Sequence, residues 1–251
     1  MTMKIVVIAQ GKGGVGKTAS AAHAAFHAAE VGHKVLVVDL DTGNLSKTMS
    51  QYRLDVPASA LFGDTPPPVP DSDNLIGLIN ADRLMANVTF MPLGQALKNF
   101  PANLRQFANA GYDLCVVDTA PGLGIPLAAA LHAADGVLCP VEMEDYSIEG
   151  IKDMMRVILN AKQRNQKLQF LGIVPSRVDR RNPRQVRHLE EMRAANANLL
   201  APVVVGLRTS VAAALAVGEP VWQIKKTAAR AAGAEMRALG KYVLDKMEMA
   251  K

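Results

Sequence analysis

The stretch Lys4-Ile-Val-Val-Ile-Ala-Gln-Gly-Lys-Gly-Gly-Val-Gly-Lys-Thr18 decides how this chain folds. Its first six residues are an apolar, β-branched run, and a glycine-rich turn follows directly. The alanine-rich segment Thr18 to Val31 then has strong helix propensity, and Lys34-Val-Leu-Val-Val-Asp39 is a second short apolar run. Strand, helix and strand in this order make a βαβ unit. Further runs at Val88–Met91, Leu114–Val117, Gly136–Val141 and Gln169–Val174 are separated by helical stretches at Pro126–Ala134, Ser147–Gln163 and Pro183–Ala197. The runs lack period-two alternation, as strands buried on both sides should. The expected fold class is α/β, a mostly parallel sheet covered by helices on both faces. The segment Gly63–Asp73 carries Pro66-Pro67-Pro68 and Pro70, so it is expected to be a surface loop. With 251 residues the chain fits one domain over 1–251.

About half the residues are apolar, but no run approaches the roughly eighteen needed to cross a bilayer. The first ten residues lack the features of a signal peptide, so a soluble, cytoplasmic protein is expected. The two cysteines, Cys115 and Cys139, lie in or beside apolar runs, where a small buried side chain is the usual role. The net charge is +5, and the basic residues thicken after residue 176, which favours an acidic partner.

Gly11-Lys-Gly-Gly-Val-Gly-Lys-Thr18 satisfies G-x-x-x-x-G-K-[ST] with a strand before it and a helix after it, the context that a phosphate-binding loop requires. Gly11, Gly13, Gly14 and Gly16 let the backbone curl with its N–H groups aimed at phosphate oxygens, and the following helix adds its positive end. Lys17 is placed to reach the β- and γ-phosphates, and the Thr18 hydroxyl to ligate Mg²⁺. Asp39 and Asp41 end the second run, and Asp118 ends the run Leu114–Val117. Both deliver carboxylates to the sheet edge where ligands of α/β proteins sit.

Lys12 is not required by the general motif. The residues Lys12-Gly-Gly-Val-Gly-Lys-Thr18 resemble the deviant Walker A box of the ParA/MinD family of P-loop NTPases, and within it the short, IncC-like plasmid partition ATPases. Pro140-Val-Glu-Met-Glu-Asp-Tyr-Ser147 and Gly218-Glu-Pro-Val221 are similar too. The resemblance implies an ATPase acting in DNA partition, with ATP and Mg²⁺ as ligands. It implies that Lys12 crosses a homodimer interface to the nucleotide of the other subunit, so Val15 and the loop glycines, with Lys12, Lys17 and Thr18, contact nucleotide. It further implies that Asp41 orients the attacking water, making Lys12, Lys17 and Asp41 the catalytic set, and that Thr18, Asp39 and Asp118 serve the metal. Loops near Pro175 and Arg208 are implied as adenine contacts. Implied partners are a ParB-type centromere-binding protein and nonspecific double-stranded DNA, with no membrane and with nucleoid association. Asp41-Thr-Gly-Asn44 is one residue shorter than the family's common Asp-Pro-Gln-Gly-Asn. The loop begins at residue 11, which leaves no room for a helix-turn-helix extension, so autonomous operator binding is not expected.

Arg177, Arg180, Arg181, Arg184 and Arg187 stand against one acid, Asp179. Lys226, Arg230, Arg237 and Lys241 would fall within roughly 60° of one another on an unbroken helix, although Gly233 and Gly240 interrupt it. By the resemblance these nine residues and Arg208 are the expected DNA contacts. His23 and His27 have a spacing that could present metal ligands, but helix packing is the expected role. Two other readings share the loop. A MinD-like membrane regulator would use the apolar residues Met236, Leu239, Val243 and Met247 as an anchor, yet Asp245 and Glu248 among them favour a docked helix. An iron–sulfur reductase would need exposed cysteines.

Overall fold

The structure, a computed structural model, describes residues 3–41, 44–144 and 147–249, the side chains of 147–149 excepted. In chain order, β1 (Lys4–Ile8) leads into α1 (Lys17–Glu30), β2 (Val35–Leu40), α2 (Asn44–Thr48), β3 (Arg53–Pro57) and β4 (Ile76–Asn80). Then come α3 (Met85–Val88), α4 (Leu93–Arg105), β5 (Leu114–Thr119), α5 (Ile125–Ala133), β6 (Gly136–Glu142) and α6 (Ser147–Arg164). The chain continues through β7 (Gln169–Ser176), α7 (Pro183–Asn196), α8 (Thr209–Val217) and α9 (Ala229–Lys246). The strands form one seven-stranded sheet in the order β3-β4-β2-β5-β1-β6-β7, with every pairing parallel.

The apolar runs bury both of their faces. Ile5, Val7, Leu36, Val38, Cys115 and Val117 pack with Phe100 and Leu104 of α4 and Leu131 of α5. The alternate residues Val6, Ile8, Val35, Val37, Leu114 and Val116 pack with Ala21, Ala25 and Phe26 of α1 and with Met236, Leu239 and Val243 of α9. Small alanines on α1 let α9 lie close over it. The closest approach is at Gly240, where a Cβ would stand 2.5 Å from the His27 Cβ. The two glycines thus admit neighbours instead of breaking α9, since a Cβ at Gly233 would meet Trp222 Cβ at 3.0 Å.

Two strands escaped the sequence reading, and one expected strand does not form. Residues 88–91 end α3 and enter a turn, and the strand that pairs with β2 is β4 instead. Its Ile76-Gly-Leu-Ile-Asn80 is interrupted by Gly77, which weakens the strand signal. The glycine is required by packing, because a Cβ there would lie 2.1 Å from the Tyr112 hydroxyl oxygen and 2.8 Å from Leu54 Cδ1. Gly77→Ala should therefore lower stability by about 2–3 kcal/mol, read as a shift in the urea midpoint at constant m-value. The edge strand β3 alternates exposed and buried residues and ends on Pro57, as an edge permits. Helix α4 contains Pro101. It is pinned by Asn99 Nδ2, which donates to Phe62 O at 3.0 Å, and by Asn103 Nδ2, which donates to Leu61 O at 3.1 Å and Gly63 O at 2.9 Å. The proline-rich 63–73 segment holds neither helix nor strand, as expected.

His23 is fully buried on α1. Its Nδ1 donates to Ala19 O at 2.8 Å, and Nε2 accepts from the Val221 N–H at 3.2 Å. With both ring nitrogens engaged, the helix-packing role is the one observed. The bond also explains Gly218-Glu-Pro-Val221: Gly218, at φ 72°, closes α8 against Thr48, and Val221 is tied to α1. Burial pushes His23 down to about 4. The folded value lies below that of the unfolded chain, so the unfolded state binds the proton first as pH falls. The contribution is complete above pH 6.5 and is lost toward pH 4, amounting to about 3 kcal/mol. Urea denaturation across this window should show that slope, and His23→Gln should flatten it.

Candidate functional site

The phosphate-binding loop joins β1 to α1 at the carboxyl edge of the sheet. Gly14 and Gly16 take φ values of 77° and 94°, which glycine adopts without strain. A Cβ at Gly16 would also come within 2.8 Å of Ser176 Oγ. Helix α1 starts at Lys17 with no side-chain cap and no acid in its first turn. Its first amides therefore face the loop's concavity as an anion site. Lys17 is 5% exposed and its Nζ donates to Lys12 O at 3.1 Å, so it lies folded into the loop. Burial lowers its pKa, while the charges of Asp118 and Asp41 act in the opposite direction.

Parallel pairing of β2 with β5 sets Asp39 directly beside Asp118. Both are fully buried. Asp118 Oδ2 accepts from Thr18 Oγ1 at 2.7 Å, whereas Oδ1 is buried with no partner among the described residues. Burial pushes the Asp118 carboxyl up to about 8 against the pull of the Thr18 hydroxyl, with Asp39 and Asp41 adding to the rise. A buried carboxyl with an idle oxygen, next to a hydroxyl and an anion site, fits Mg²⁺, which takes one or two protein oxygens and completes its shell with water and phosphate. Among the described residues no set of three or more His, Cys, Asp or Glu could form a metal cage.

Both carboxylate oxygens of Asp39 are engaged by the turn that follows β2. Its Oδ1 accepts from the Asp41 N–H at 3.0 Å, and its Oδ2 accepts from the Ser46 N–H at 2.7 Å and Ser46 Oγ at 2.6 Å. These bonds hold the turn that carries Asp41. Ser46, which accepts from the Ala81 N–H at 2.8 Å, completes that brace and was not singled out from sequence. A serine two residues into a short helix carries no motif. Thr42 and Gly43, where the shortened motif falls, lie outside the described residues. Asp41 lines a cleft of about 480 Å³ with Leu40, Ala81, Met85, Ala120 and Pro126.

Lys12 points away from the loop's interior. Its side chain is 49% exposed and its Nζ lies 2.7 Å from Glu144 Oε2 and 3.3 Å from Glu142 Oε2. Arg177, expected among the DNA contacts, is part of this group: its Nε donates to Glu142 Oε1 at 2.6 Å. Pro175 is buried in β7, and its carbonyl accepts from the Val205 N–H at 2.8 Å. Arg208 forms a fork with Glu235, at 2.7 and 3.3 Å.

The other basic residues do not make the single helical stripe that was expected. Lys226 precedes α9, Arg237 turns onto Glu30 at 2.6 Å and over the Trp222 ring, and Lys241 pairs with Asp245 at 2.8 Å. Arg181 pairs with Asp179 at 3.0 Å, and Arg187 with Glu191 at 3.9 Å. Arg184 is exposed near the start of α7. Among the described residues Arg180, Lys226 and Arg230 are exposed and form no ion pair. The apolar residues Met236, Leu239, Val243 and Met247 are buried in the core, which uses the face a membrane anchor would need. No helix among the described residues is long and apolar enough to cross a membrane. Cys115 and Cys139 are buried in β5 and β6, and burial raises Cys139 to about 12. Neither can reach a surface cluster.

A parallel sheet, a loop of this geometry and buried carboxylates beside it define a P-loop nucleotide hydrolase with a second lysine on its loop. A family model described as an AAA domain matches residues 3–170. The chain is 50% identical over 260 residues to protein IncC of Escherichia coli, covering 100% of this chain and 71% of that protein. It is 30% identical over 234 residues to the chromosome partitioning protein ParA of Caulobacter vibrioides, covering 87% and 86%. The fold is similar to that of apo McdA of Cyanothece, at TM-score 0.80 and 20% identity over 96% of this chain and 99% of that one. Other structures with this fold contain ADP or an ATP analogue with magnesium. The chain belongs to the ParA/MinD family of P-loop ATPases and is homologous to the IncC and ParA partition proteins.

Proposed function

We propose that this ATPase drives DNA partition: ATP and Mg²⁺ close a homodimer around two nucleotides, the dimer binds nonspecific DNA on the nucleoid, and hydrolysis releases it. The observation that carries this reading is Lys12, whose ammonium lies at the rim of the site and leaves the loop interior to Lys17. A cation there serves a phosphate presented by a second copy better than one in its own loop. The full-length likeness to protein IncC supports the cellular role.

In this reading residues 11–18 bind the triphosphate, with Lys17 countering charge that builds between the β- and γ-phosphates. Thr18 and Asp118 hold Mg²⁺, which when bound neutralises and orients the phosphate oxygens. Asp41, held by its own N–H to Asp39, positions the attacking water. One carboxylate and no arginine finger among the described residues of the site make for slow basal hydrolysis. A ParB-type partner is expected to raise it. Loops near Pro175 and Arg208 remain the proposed adenine neighbourhood.

For DNA, Arg180, Lys226 and Arg230 are the first candidates because they need not leave an acid. Arg184, exposed near the start of α7, follows, as do Arg181, Arg187, Arg237 and Lys241, whose surface pairs are weak enough to exchange for phosphate. With about two phosphate contacts per subunit, raising salt from about 50 to 200 mM should weaken ATP-dependent DNA binding roughly a hundredfold. Cosedimentation with a DNA of arbitrary sequence reads this directly, and retention indifferent to salt would contradict the electrostatic interface. Turnover measured with and without DNA and a ParB-type protein tests the cycle, which fast unstimulated hydrolysis would overturn.

A further inference from the structure

We propose that Glu142 and Glu144 are the resting partners of Lys12, and that forming the ATP-bound dimer requires Lys12 to leave both carboxylates for the nucleotide of the second copy. The inference rests on the reading that Lys12 crosses between copies. Strand β6 ends at Glu142, and Met143 is buried in the small core beneath α7. Anchoring Met143 leaves the glutamates on either side of it to face the loop, and both reach the same ammonium. The hydrogen bond that Lys12 donates to Glu144, and behind it the one that it donates to Glu142, raises the Lys12 pKa even though Lys12 is half exposed.

Two carboxylates at the mouth of an anion site repel an incoming polyphosphate. Lys12 offsets their charge while it stays, and its departure removes that offset. Arg177 remains on Glu142 when Lys12 leaves. It is fixed there by a backbone at φ 54°, unusual for arginine, between Ser176, which abuts Gly16, and Val178, whose N–H donates to Val205 O. Glu144 gives up its 2.7 Å pair. The contact therefore opposes dimer formation and sets a threshold that nucleotide must overcome. Ion pairs this exposed are individually modest, so the effect is severalfold.

The test compares wild type with Glu142→Gln, Glu144→Gln and the double variant. At a saturating nonhydrolysable ATP analogue with Mg²⁺, sedimentation equilibrium should give a dimer Kd about fivefold tighter for the double variant, with Glu144→Gln supplying the larger share. An unchanged or weaker dimer overturns the proposal. Independently of dimerisation, Lys12 in the nucleotide-free monomer should react more slowly with an amine-labelling reagent in wild type than in the double variant, both judged folded by circular dichroism. Equal reactivity overturns the proposal whatever the dimer does. A wild-type protein that stays monomeric at saturating analogue instead sinks the crossing of Lys12, and the labelling result still decides the resting contact.

Discussion

Lys12→Gln should leave ADP binding within about threefold of wild type while removing ATP-dependent dimerisation and lowering hydrolysis about a thousandfold. The two effects separate because the two loop lysines occupy different places. Lys17 is folded into the loop among Asp118 and Asp41, so the affinity of one subunit for phosphate depends on it. Lys12 is half exposed at the rim and contributes to its own pocket only through its backbone, whose carbonyl accepts from Lys17. That carbonyl survives the substitution. What would be lost, on the proposed reading, is a cation delivered in trans to charge developing on the transferred phosphoryl group, a role worth about three to five orders of magnitude where an arginine performs it. Calorimetry with ADP, sedimentation with an ATP analogue and a phosphate-release assay make the comparison. A Lys12→Gln protein that dimerises and hydrolyses normally would refute the role assigned to Lys12.

Asp41→Ala should reduce hydrolysis by about a hundredfold or more and leave ATP binding and dimer closure in place, so that the variant accumulates on DNA. The side chain is partly exposed beside a 480 Å³ cleft, and its position is set by its backbone N–H on Asp39. Removing the carboxylate should therefore take away the proposed water-orienting group without disturbing the brace made by Asp39 and Ser46. Cosedimentation with DNA in ATP should show retention persisting after wild type has been released. Loss of DNA binding by Asp41→Ala would mean that the residue supports closure and not the water.

The site was more legible than the fold around it. Backbone curvature at 11–18 and the acids ending β2 and β5 are local consequences of residue type, and parallel pairing then brings Asp39 beside Asp118. Strand β4 was hidden because Gly77 answers to Tyr112, a residue thirty-five positions away, and no local pattern carries that demand. Helix α4 was hidden for a similar reason: Pro101 weakens its local signal, and its stability comes from asparagines bonded to carbonyls at 61–63. The basic residues were misgrouped because charge density along a sequence does not reveal which acids face it. Arg177 went to Glu142, Arg208 to Glu235 and Arg237 to Glu30, all distant in the chain.

By itself the sequence determined the class of fold, the phosphate-loop motif and the carboxylates that end β2 and β5, because strand burial, glycine curvature and strand-ending acids are properties of contiguous residues. Only the tertiary structure decided the partners. It bonded Asp39 to the Asp41 N–H, left one buried oxygen of Asp118 without a partner among the described residues, and set Lys12 between Glu142 and Glu144. The Lys12 pairs join segments more than a hundred residues apart, whose distance is fixed when helices pack onto both faces of the sheet, and the bonds of Asp39 follow from a turn whose path no motif announces.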